Sequence, residues 1–172
     1  MRRSSMVKLL GLSEETFNLI RARKLLPLRN RDAGSGWQEF TAEDALAIEL
    51  SVSMARQGLK RADARDLVNE YFDVAIDRLS ERDDQHLFLG AVKSYGIQDG
   101  QIALDDQFPL IGCAQDIADE LAELGDKLGP NRFLDGAILV NVHLCIAVIT
   151  DRAARAGLED FEFAHLKQEG RQ

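Results

Sequence analysis

The apolar residues of 41–82 keep a helical spacing, and from residue 86 onward the pattern changes as strand-like segments appear between helices, which constrains the fold class. Over 59–82, Ala64, Leu67, Val68, Tyr71, Phe72, Ala75, Ile76 and Leu79 make one stripe at helical period. The stretch before it carries Leu46, Ile48, Leu50, Val52 and Met54 and ends near Gly58. Thr41, with Asp44 three residues later, has the spacing of a capping box that starts this helix. Past residue 86, the segments 86–92 and 101–104 read as short strands on either side of a glycine-containing turn at 95–100. A helix follows over 113–128, closed by Gly129 and Pro130. The run 137–142 is rich in branched side chains and reads as a buried strand leading into a helix at 143–156. One long buried helix over 137–156 fits the same residues, and periodicity leaves both open. The expected class is α+β, with a mainly helical part over 1–82 and a small α/β domain over 83–172, divided near Asp83 and Asp84.

A net charge of −8 argues by itself against a nucleic-acid partner, but the charge is unevenly spread. Residues 1–65 carry a net +4 and residues 66–172 a net −12. Arg21, Arg23, Lys24, Arg29 and Arg31 fall within 11 residues, which makes that stretch the candidate phosphate-binding surface. The acidic 83–172 part is then left for dimerisation, for sensing a small effector, or for contact with a protein partner. Its longest apolar run, 137–149, is too short for a membrane span and is interrupted by Asn141 and His143. No signal peptide is expected at the N-terminus. Cys113 and Cys145 form no paired motif, which fits a reducing compartment, and the chain is expected to be cytoplasmic.

Around the basic stretch the residues read as two short helices and a hairpin. Met6, Val7, Leu9 and Leu10 form an apolar turn that stops at Gly11. Ser13 has the place of an N-cap, with Glu14 and Glu15 in the first turn of a second helix whose body is 16–24. Phe17, Leu19 and Ile20 are its core-facing positions, and Pro27 prevents continuation. The polar segment 28–40, with Gly34 and Gly36, reads as a loop between short segments able to pair as strands.

The run Val7-Lys8-Leu9-Leu10-Gly11-Leu12-Ser13-Glu14-Glu15-Thr16-Phe17 resembles the opening of the MerR-type winged helix-turn-helix. The likeness continues through Leu25-Leu26-Pro27, through Gly36-Trp37 with Phe40, and through Thr41-Ala42-Glu43-Asp44 to Gly58-Leu59, covering about residues 6–68. It implies a winged helix-turn-helix that binds double-stranded DNA as a homodimeric transcriptional regulator. Glu15, Thr16 and Asn18 sit early enough in the second helix to approach base edges. Arg21, Arg23, Lys24, Arg29 and Arg31 are placed for phosphates, and Trp37 and Gln38 for the wing. Asn18, Leu19 and Ile20 stand where the family carries an arginine and two aromatics, and Gln38 where it has a wing arginine.

Plainer readings stand beside these. Thr16 also fits a hydrogen-bonding role in the first helical turn, and Trp37 a wing residue folded back on the core. His143 with Cys145 supplies metal-ligand types, but the spacing fits packing residues better. Asp116, Asp119, Glu120 and Glu123 recur at helical spacing, as on a solvated helix face. No nucleophile and base pairing, phosphate loop or dinucleotide fingerprint is present, so neither enzymatic activity nor a cofactor or metal is expected. Two other functions fit the same motif: an excisionase-like protein that bends DNA, and a scaffold whose basic face docks an acidic protein.

Overall fold

A computed structural model describes residues 1–27, 39–81, 86–99, 101–158, 161 and 163. Most of the expected wing, with Arg29, Arg31, Trp37 and Gln38, lies outside the described residues, as do the boundary at Asp83 and Asp84 and most of the tail after Gly157.

The chain is α+β, in the order α1 (Arg3–Leu10), α2 (Glu14–Ala22), α3 (Ala42–Arg56), α4 (Arg61–Glu81), β1 (Phe88–Gln98), β2 (Gln101–Gly112), α5 (Ala114–Lys127), β3 (Arg132–Asn141) and α6 (Val142–Arg155). The Thr41 capping box forms: Thr41 Oγ1 accepts from the Asp44 amide at 3.1 Å and Asp44 returns the bond to the Thr41 amide at 3.0 Å. The helix it starts is buried almost all round, Glu49 and Ser51 included, so α3 is the central rod of the molecule. The expected stripe on α4 packs against it through Ala64, Leu67, Val68, Phe72, Ala75 and Leu79.

Each strand runs further than its apolar residues suggest. The hairpin of β1 and β2 closes at Asp99, whose φ is 51°, so the expected turn at 95–100 shrinks to its last residues. β2 continues past residue 104 to Gly112, and the strand expected at 137–142 begins at Arg132. The added parts mix exposed polar residues such as Asp106, Arg132 and Asp135 with buried Leu110 and Ile111, and the polar stretches are strands because their backbone pairs with β1. Asn141 settles the choice over 137–156. It ends β3, and its Oδ1 accepts from the Leu144 amide at 2.9 Å, capping α6 without a loop.

The sheet order is β2-β1-β3, antiparallel at both pairings, so α5 carries the chain across β1 from one edge to the other. One sheet face packs on α5 through Val92, Leu110 and Ile117. The other joins a single hydrophobic cluster that holds Met6, Leu10, Phe17, Leu46, Phe72, Leu89, Val140 and Ile149, so residues from both sides of position 83 share one core.

Candidate nucleic-acid interface

The turn between α1 and α2 is made by local hydrogen bonds. Gly11, at φ 60°, donates to Lys8 O at 3.1 Å and Leu12 to Val7 O at 3.3 Å, the two bonds of a Schellman ending. Ser13 then opens α2: its Oγ accepts from the Thr16 amide at 3.1 Å and its hydroxyl donates to Thr16 Oγ1 at 2.8 Å. Thr16 is half-buried and belongs to this cap.

On α2, Phe17 and Ile20 are buried, while Glu15, Asn18, Leu19 and Ala22 follow one another at i, i+3, i+4 and i+7 on the outward face. Leu19 departs from the expectation of a core position: it is 49% exposed, because the buried stripe of this short helix is only Phe17 and Ile20 wide. A leucine on that face suits contact with a thymine methyl. Arg3, from the first turn of α1, donates to Asn18 Oδ1. Phe17 meets Phe40 edge to face at 5.9 Å, and Phe40 is a core residue. Phe40 also exchanges two backbone hydrogen bonds with Met1, at 2.6 and 3.0 Å.

The helix ends two residues earlier than expected. Lys24 sits at φ 55° and donates to Arg21 O at 2.9 Å, while Leu25 donates to Ile20 O at 2.9 Å. This is a second Schellman ending with lysine where glycine is usual, and Leu26 and Pro27 are buried behind it. Arg65 of α4 donates to Lys24 O at 2.8 Å and fixes the bend. Arg21, Arg23 and Lys24 are exposed, and their side chains take part in no ion pair among the described residues. Glu15, Asn18, Arg21, Arg23 and Lys24 are thus all exposed on α2 or at its C-terminal end, with Glu15 and Asn18 on the outward face and Arg21 and Arg23 on its two flanks. Arg3, Leu19 and Arg65 join them without having been singled out, since Arg3 and Arg65 lie far from that stretch in sequence.

Elsewhere, the plainer readings are the ones with partners. Burial and nearby Glu49 push the Cys145 thiol up to about 11, which keeps it protonated. His143 Nδ1 accepts from the Leu87 amide at 3.2 Å. Asp116 caps α5 by accepting from the Cys113 amide at 3.0 Å, Asp119 accepts from Gln115 at 2.8 Å, and Glu123 pairs with Lys127 at 2.7 Å. Burial raises the Glu120 carboxyl. Among the described residues no group of three or more potential ligands is arranged to hold a metal, and no helix is long and apolar enough to cross a membrane. Compared with known proteins, the chain matches no protein-family model and no curated protein.

Proposed function

We propose that this chain is a MerR-like winged helix-turn-helix regulator that binds double-stranded DNA as a homodimer in the cytoplasm. The observation that carries the reading is the exposure of Asn18, Arg21, Arg23 and Lys24 along α2 and its C-terminal end, on a chain whose residues 66–172 are strongly acidic. In this reading α2 enters the major groove and presents Glu15, Asn18 and Leu19 to base edges. The three cations meet phosphates and release counterions, with Arg29, Arg31, Trp37 and Gln38 adding wing contacts. The acidic remainder turns away from the duplex, and the 83–172 part serves assembly and signal input.

Anisotropy titrations against mixed genomic fragments over a range of salt test this. Affinity should fall steeply with salt, and replacing Arg21, Arg23 and Arg29 together by alanine should flatten the log–log slope by about three. Binding that ignores salt, or that survives the triple substitution, rules the reading out.

A further inference from the structure

One sheet face is covered over only half its length. Alternation along β1 puts Leu89, Ala91, Lys93, Tyr95 and Ile97 on the face opposite α5. Leu89 and Ala91, with Ile111 and Val140 beside them, belong to the main core. Tyr95 and Ile97 lie beyond its end, with Leu104 and Ile102 in register on β2 and Phe133 on β3. Ile97, Ile102, Leu104 and Phe133 are 46%, 66%, 48% and 40% exposed, and the Phe133 ring stacks on Tyr95 at 6.0 Å. They are four of the seven large apolar side chains exposed among the described residues and share one sheet face, where Leu104 borders a groove lined by Asp63, Asp66 and Glu70 of α4.

Both edges of this sheet are protected against pairing, but the face is not. β2 carries Pro109, which has no N–H to offer, and the register shift between Val92 and Lys93 leaves Gly136 as a bulge in β3. The uncovered side chains present roughly 350 Å² of apolar surface, within the range of the largest patch on an ordinary monomer, which is often a functional one. Two such patches stacked give the apolar core of an interface of about 1,200 Å², where stable dimers begin. Lys93 and Asp135 stand in register on the same face at the patch border, so a second copy meets both signs of charge.

We infer that two copies of the chain meet on this distal sheet face, sheet against sheet about a two-fold axis. The choice of a second copy over another protein rests on the chain being a DNA-binding regulator, which reads paired half-sites with paired helices.

Sedimentation of the full chain without DNA provides the test. The wild type should be a dimer at about 10 μM, and Ile102→Lys with Leu104→Lys should raise the dissociation constant at least 100-fold while the far-UV spectrum is kept. Ile102→Ser, which adds no charge, should raise it about tenfold. Leu144→Lys, at a leucine 62% exposed on α6, should leave the dimer intact. A monomeric wild type overturns the inference, as does a charged double variant that stays dimeric or a monomer that floats with anionic vesicles. A dimer that ignores DNA would reject only the regulator reading, and a monomer that binds DNA only the interface.

Discussion

Arg152 Nη1 lies 3.1 Å from Glu49 Oε2, joining α6 to the buried middle of α3. The same nitrogen donates to Leu9 O at 3.3 Å, and the guanidinium comes within 3.4 Å of where a side chain on Gly11 would begin. One arginine of the last helix therefore satisfies a C-terminal carbonyl of the first and backs the turn into α2. Glu49 is 4% exposed, with Arg56 3.7 Å away as its other cation. Arg152→Ala should cost about 3 kcal/mol in chemical denaturation, because it leaves a buried carboxylate short of its main partner. Arg152→Met combined with Glu49→Leu should recover most of that loss. Equal losses in the single and double variants would deny the pairing.

Lys24 adopts a left-handed conformation in a helix ending that favours glycine. Lys24→Gly should stabilise the fold by about 0.5–1 kcal/mol and at the same time reduce the salt dependence of DNA binding by about one. Thermal melts and salt titrations of one protein preparation read both. Improved stability with an unchanged slope would remove Lys24 from the proposed DNA-binding surface while leaving the helix ending as described.

How much of this was legible in the sequence depended on whether the cause was local. Gly11, Ser13 and Thr41 act within four residues of themselves, and each does what its position in the sequence announces. The strands needed partners: nothing in Asp106 or Gln107 marks a strand until Ser94 and Lys93 lie opposite. Similarly, the grouping of Arg21, Arg23 and Lys24 was visible as a run of charge, whereas Arg3 reaching Asn18 and Arg65 holding Lys24 depend on helices that meet only in three dimensions. The exposure of Leu19 escaped because periodicity identifies apolar residues without fixing how wide a buried stripe will be.

The Cys145 thiol is held at about 11, above its ordinary value near 9, by burial and then by the charge of Glu49. Between those values the unfolded chain has released a proton that the folded chain retains, so stability falls as pH rises through that window. The loss should be on the order of 2 kcal/mol by pH 11, and Cys145→Ala should flatten that part of the profile. Denaturation midpoints at pH 8 and pH 10.5 measure the difference. Identical pH dependence in the two proteins would contradict a buried protonated thiol.

Ser94 is fully buried in the central strand, and its Oγ has no hydrogen-bond partner among the described residues. An unsatisfied hydroxyl costs about 1–3 kcal/mol to bury. Ser94→Ala should therefore raise the melting temperature by a few degrees without changing the oligomeric state. A lower melting temperature would show that the hydroxyl is satisfied after all.

The bond from Arg152 to Leu9 joins residues 143 positions apart, and it has a consequence for how the chain is made. The opening helices do not acquire their full set of neighbours until α6 has emerged from the ribosome, so final assembly waits for nearly the whole of this sequence. Such long-range closure slows folding. Until it is complete, the apolar side of the first two helices is a target for chaperones and proteases, and an incomplete product would be cleared before it could accumulate.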